Sequence, residues 1–171
     1  MDHDVAMTEP LQPGDRLARR AEPTVRLDDT AKRIIEILQE DGRASYATIA
    51  KTVGLSEAAA RARVQKLLDA EVMQVVAVTD PLQVGFSRQA MIGVRTEGDP
   101  TAVGDRLAEL SEVDYVVTTA GSFDVLVEVV CEDDPHLLDV IRTIREVEGV
   151  VASETFVYLK LNKQHYNWGT R

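Results

Sequence analysis

The sequence predicts an α+β chain of two units: three short helices, followed by a β-α-β-β-α-β sheet domain. Three observations predict it. Apolar residues recur at helical spacing between Leu27 and Leu68. After Ala70 the repeat shortens from 3.6 residues to 2, the period of a strand. The strand-like segments beyond it are broken twice by stretches that open on Asp99-Pro100 and Asp134-Pro135, the cap and first-turn arrangement that starts a helix.

Taken in order, residues 1–25 hold three of the six prolines and no apolar periodicity, so they read as a disordered arm. The arm's Arg16, Arg19 and Arg20 read as solvated charges. The first helix begins after Leu27, where Asp28 and Asp29 meet the unsatisfied amides of a helix start. Its core face is Leu27, Ala31, Ile34, Ile35 and Leu38, and Asp41-Gly42 ends it. The second helix, YATIAKTV, buries Ile49, Ala50 and Val53. Gly54 permits a sharp turn and Ser56 caps the third helix, SEAAARARVQKLLDA, whose stripe is Ala60, Val64, Leu67 and Leu68.

MQVVAVTD then reads as a strand ended by Asp80-Pro81, and PLQVGF as a hinge. The remainder alternates strand RQAMIGVRT, helix DPTAVGDRLAELS, strand VDYVVTTA, turn GSF, strand DVLVEVVC, helix DDPHLLDVIRTIREVEG and strand VASETFVYLKL. That is the split-βαβ, ferredoxin-like order. The expected organisation is an arm over 1–25, a helical unit with its hinge strand over 26–80, a sheet domain over 81–161 and a tail over 162–171.

Composition narrows the class. The net charge is −10, yet it is unevenly spread. Residues 26–70 carry eight Lys/Arg against seven Asp/Glu, whereas 71–161 carry six against seventeen. Any phosphate-binding surface therefore belongs to the helical unit. No apolar stretch approaches the roughly 18 residues that span a bilayer, and MDHDVAMTEP lacks the layout of a secretory leader, so a cytoplasmic chain without membrane contact is expected. The single cysteine, Cys131, sits in an apolar run and reads as a buried small hydrophobe. No phosphate loop and no metal-spaced His/Cys set is present, so neither cofactor nor metal is expected. Cys131 and His136 make a weak nucleophile pair, which disfavours an enzyme.

Three short helices with a glycine turn before the third is the helix-turn-helix layout. On a wheel of about 100° per residue, Ala58, Ala59, Ala62 and Lys66 lie opposite the core stripe. Arg63 and Gln65 flank that outward face and Arg61 lies nearer the core edge. Small alanines would let the helix enter a major groove closely, with Arg63, Gln65 and Lys66 reaching bases or phosphates and Ser56 with the first amides holding a phosphate. In the second unit, the strands are apolar on both faces, whereas two helices cover only one. The second face needs a cover, and a second copy across a two-fold axis is the simplest. The turn Ala120–Asp124 admits two readings: a plain hairpin in which Asp124 bonds back to the turn, or a pocket wall whose amides bind a carboxylate while Asp124 faces an ammonium.

With these features the sequence resembles the Lrp/AsnC (feast/famine) family of prokaryotic regulators. The resemblance rests on LDDTAKRIIEILQEDGR, IAKTVGLSEAAARARVQKL, AGSFDVLVEV and SETFVYLKL, and covers residues 26–161. It implies a winged helix-turn-helix DNA-binding domain and a βαββαβ domain that binds an effector and oligomerises. It also implies dimers assembling to tetramers or octamers, with an amino-acid effector between neighbouring dimers. Carried onto this chain, the DNA-binding helix is Ser56–Lys66, with Arg61, Arg63 and Lys66 its basic members. The effector set is Thr119, Gly121, Ser122, Phe123 and Asp124, with Glu154 and Thr155 on the last strand. Two departures stand out. Glu57, Ala58 and Ala59 occupy positions where relatives often have Ser, Thr or Pro, and Val151 and Ala152 are apolar where relatives that bind polar amino acids have a polar residue. The expected function is a DNA-binding regulator of transcription responding to an amino-acid-type effector. The alternative is an architectural protein that wraps DNA without an obligatory effector.

Overall fold

A computed structural model describes residues 26–171; the expected arm over 1–25 lies outside the described residues. The chain divides into two compact units. One is Thr79–Lys160; the other joins the described residues through Val78 to the tail, Leu161–Arg171.

The helical unit contains α1 (Asp29–Glu40), α2 (Tyr46–Val53) and α3 (Glu57–Asp69). The first and third begin on caps the sequence predicts, and α2 begins on Ser45. Asp28 accepts the amide of Ala31, Ser45 that of Thr48 and Ser56 that of Ala59, satisfying donors that a helix start leaves open. Gly54 closes α2 in the left-handed region at φ 71°, a conformation glycine adopts without strain. The predicted stripes meet in one core: Ile34, Ile49 and Ala60 are fully buried, with Ala31, Ile35, Ala50, Val64 and Leu67 around them. Leu68 packs against its margin.

The sheet unit contains β1 (Arg88–Thr96), α4 (Pro100–Ala108), β2 (Val113–Thr118), β3 (Val125–Cys131), α5 (Asp134–Glu146) and β4 (Val150–Val157). The antiparallel sheet has the order β2-β3-β1-β4. Asp99 and Asp133 cap α4 and α5, each followed by proline in the first turn. Both helices lie on one face. Ala90, Ile92 and Val94 of β1 and Val125, Val127, Val129 and Cys131 of β3 pack with Val103 and Leu107 of α4 and with Leu137, Val140 and Ile144 of α5. Burial pushes the Cys131 thiol pKa up, in keeping with the hydrophobe expected there.

Three expectations are corrected. The strand expected over 73–80 is not formed: among the described residues the segment joins no ladder, and Val75, Val76 and Val78 are exposed. Its period-2 pattern is real, but a strand needs a second row of backbone groups to bond. Among the described residues no strand follows α3 within the helical unit. The last strand stops at Val157 instead of running to Leu161, and α4 stops at Ala108 before Glu109–Ser111. The tail has partners that sequence did not suggest. Gly169 N–H donates to Gln39 Oε1 at 3.1 Å and the Thr170 hydroxyl to Glu36 Oε1 at 2.9 Å. The Thr170 bond, with Arg33, holds the Glu36 carboxyl below its ordinary pKa. Trp168 is 75% exposed.

Candidate functional site

The side of α3 turned from the core exposes Glu57, Ala58, Arg61, Ala62, Gln65 and Lys66. Alanines at 58 and 62 are one turn apart, so the backbone between them can approach a groove without steric obstruction. Ser56, just ahead, uses its oxygen to cap Ala59 and keeps its hydroxyl proton as a donor. Arg61 is braced at the margin: its guanidinium lies 4.6 Å from the Tyr46 ring centroid and 4.0 Å from the Glu57 carboxylate. Gln65 donates to Asp69 at 2.7 Å. Lys66 is exposed, and its charge reaches Asp28.

Arg63 differs from the others. The wheel put it beside the outward face; the structure turns it back across the unit. Its Nη1 donates to both carboxylate oxygens of Asp28, at 2.6 and 2.9 Å. Asp28 is also the α1 cap, accepting from Ala31 at 2.7 Å. These bonds, that from Arg63 first, hold the Asp28 carboxyl below its ordinary pKa.

The effector set centres on the loop between β2 and β3. Thr119 N–H donates to the Asp124 carbonyl at 2.8 Å and its hydroxyl to the Phe123 carbonyl at 2.5 Å. Asp124 is tied to β1: its N–H donates to the Val94 carbonyl at 2.9 Å, and its Oδ2 accepts from the Thr96 amide at 2.8 Å and the Thr96 hydroxyl at 3.3 Å. The Asp124 carboxylate is thus bonded to β1, and not back to the turn as the hairpin reading has it. Gly121 and Ser122 form the exposed tip. Asp124→Ala should leave the partly buried Thr96 amide without an acceptor. The expected cost is about 1–3 kcal/mol, read as a fall of several degrees in calorimetric Tm; a Tm equal to that of the parent chain would remove the strand-anchoring role.

Phe123 lies flat on β1. A Cβ on Gly93 would come within 2.6 Å of its ring. Arg95 stands 5.6 Å from the ring centroid and Phe156 meets it edge-on at 6.0 Å. Glu154 pairs with Gly93 and is exposed on the same face. Thr155 is separated from the set. It pairs with Ile92, whose side chain is in the helix-covered core, and strand alternation sends Glu154 and Thr155 to opposite faces. Ser153, on the Thr155 side, accepts from Arg145 of α5 at 2.9 Å. Gly93, Arg95 and Phe156 were missed from sequence, although a glycine inside an apolar strand does mark a close approach.

Among the described residues no helix lies over the face that carries Phe123. It presents Tyr115 and Val117 of β2, Leu126, Glu128 and Val130 of β3, Met91 and Gly93 of β1, and Phe156 of β4. Tyr115 and Phe156 are 47% and 44% exposed. One polar knot interrupts it. Glu128 accepts from Gln89 at 2.9 Å, and the Tyr158 hydroxyl, pushed up to about 12 by burial and by Glu128, adjoins the same carboxylate. Burial and Glu128 likewise raise the Asp114 pKa. Among the described residues no group of three His, Cys, Asp or Glu could hold a metal ion, and no helix is long and apolar enough to cross a membrane.

Comparison with known proteins agrees with this architecture. Residues 27–68 match the AsnC-type helix-turn-helix domain and residues 89–168 the Lrp/AsnC ligand binding domain. The HTH-type transcriptional regulator FL11 of Pyrococcus horikoshii is 33% identical over 142 residues, covering 82% of this chain and 94% of the relative. The structure of E. coli AsnC superposes with a TM-score of 0.71 at 25% identity, covering 83% of this chain and 98% of that one. A transcriptional regulator of Neisseria meningitidis in complex with L-Met gives the same TM-score and identity, over 83% and 96%. With both domain patterns matched in sequence and in fold, the chain belongs to the Lrp/AsnC family of DNA-binding transcriptional regulators.

Proposed function

We propose that the protein is an effector-responsive regulator, not an enzyme, acting as a homodimer that assembles further to tetramers or octamers and works in the cytoplasm on double-stranded DNA. The bare apolar sheet face is the observation that supports this reading most. A surface bearing Tyr115, Val117, Leu126 and Phe156 is of the kind that another sheet covers, and a two-fold pair presents two α3 helices to the two halves of a palindromic site. Ser56, Arg61, Gln65 and Lys66 supply donors on the exposed side of α3. The concentration of acid in 71–161 leaves the helical unit as the part that phosphate tolerates.

The effector is an amino-acid-type molecule held at the loop Thr119–Asp124, where the exposed tip Gly121–Ser122 adjoins the face that carries the Phe123 ring and Glu154. The L-Met complex of the Neisseria relative favours that class. An effector that binds one assembly more tightly than another shifts the balance between them, and with it the operator spacing that is occupied. One observation favours the alternative, DNA wrapping without an obligatory effector: the carboxylate expected to meet an ammonium, Asp124, is already engaged by Thr96.

A thermal-shift screen of the twenty amino acids, paired with DNA binding in the presence of each, distinguishes the two. The regulator reading expects at least one amino acid to raise Tm, by the equivalent of about 2.7 kcal/mol at a hundred times its Kd, and to change DNA affinity. DNA binding unaltered by all twenty, with no Tm shift, supports wrapping.

A further inference from the structure

We infer that Arg63 serves DNA binding as a positioning residue: paired with Asp28 it fixes α3 against the start of α1, and it does not itself contact the duplex. The inference rests on α3 being the recognition helix.

The geometry carries the argument. One guanidinium nitrogen spans both oxygens of a carboxylate 35 residues away in the chain, at distances typical of charge-assisted bonds. The same carboxylate closes the first turn of α1. Asp28 therefore fixes two helices at once, and Arg63 is the side chain through which α3 is held. Arg63 is followed by Val64, 4% exposed in the core, and preceded by Ala62 on the open side. A rotation of α3 about its axis displaces Ala58, Ala62, Gln65 and Lys66 together.

Electrostatics point the same way. Were Arg63 to leave for a phosphate, Asp28 would remain as an anion at the edge of the DNA-facing surface, with only Lys66 on α3 near enough to offset it. Phosphate and carboxylate would then repel across a short gap. Paired, Arg63 and Asp28 present no net charge, and the cations that α3 has left for the backbone are Arg61 and Lys66.

The test uses the full-length chain and duplex DNA enriched from a random-sequence pool by the wild-type protein. Affinity is measured over a salt series for wild type, Arg63→Ala, Asp28→Asn and the double variant, with circular dichroism to check folding. Asparagine caps helices about as well as aspartate, so Asp28→Asn removes the charged pair and spares α1. Each single variant should weaken binding about three- to ten-fold, the double variant should lose no more than either, and the log–log salt slope should stay at the wild-type value. A direct phosphate contact predicts the reverse. Arg63→Ala would lower the slope by about one unit, and Asp28→Asn, which frees the arginine and removes an anion, would bind as tightly as wild type or more tightly. Either result, or losses that add in the double variant, overturns the inference. A wild-type chain that enriches no duplex overturns the assignment of α3 itself, and the inference with it.

Discussion

Leu126→Asp should leave the proposed homodimer as single chains without unfolding them. Leu126 lies mid-sheet on β3, paired with Val117 of β2 and Gly93 of β1, on the face that no helix among the described residues covers. Its neighbours Val125 and Val127 point the other way and are fully buried, so the substitution leaves the core under α4 and α5 untouched. In a lone chain the new carboxylate faces water at little cost. In a two-fold pair it enters the interface twice, and a buried charge without a partner costs several kcal/mol after relaxation. At two sites that exceeds what a dimer formed at micromolar concentration, about 8 kcal/mol, can absorb. Sedimentation velocity should return a mass near 18.9 kDa, with a wild-type circular dichroism spectrum. DNA affinity should fall steeply, since a palindromic site is then read one half at a time. A variant that keeps the wild-type oligomeric mass would show that the subunits meet through some other surface.

How much of this was legible before any coordinates follows from what periodicity reports. It reports which side of an element is apolar, so the stripes of α1, α2 and α3 and the alternation of β3 read directly from sequence. The two described helices of the sheet unit followed, and with them a sheet face that neither covers. It does not report who supplies the hydrogen bonds. Residues 73–80 alternate like a strand yet have no ladder partner among the described residues. Nor does it reach across distance: the wheel placed Arg63 beside the outward face because nothing local reveals an aspartate 35 residues earlier. Asp124 illustrates the same limit, since its partner Thr96 lies in another strand. The separation of Glu154 from Thr155 is a different case. Period 2 alone sets adjacent strand residues on opposite faces, and only the resemblance grouped them. The tail's bonds to Glu36 and Gln39 had no sequence signal at all, because single polar contacts between remote segments leave no pattern.

Gly93→Val is expected to reorganise the loop that carries Phe123, and a second substitution should undo it. A side chain at 93 has no room: its first carbon would meet three ring atoms of Phe123 at 2.6–2.8 Å, well inside van der Waals contact. The ring cannot simply step aside. The Phe123 carbonyl holds the Thr119 hydroxyl, and Asp124, the next residue, is bound to β1 through its amide and its carboxylate. Moving the ring therefore strains bonds that define the turn, and Phe156, edge-on to it, loses a neighbour. Overpacking of this kind costs about 1–3 kcal/mol. The better strand propensity of valine returns at most about 1 kcal/mol, so destabilisation wins. Removing the ring removes the conflict: Gly93→Val with Phe123→Ala should be more stable than the two single losses sum to, by about 1–2 kcal/mol of coupling, read from urea unfolding of the four chains. If an amino-acid effector binds at this loop, the Gly93→Val chain should also lose the Tm shift that the effector produces. Single effects that simply add would mean that the ring does not rest on Gly93 in solution, and the bare face would then lack the close aromatic-to-backbone contact on which this view of the loop depends.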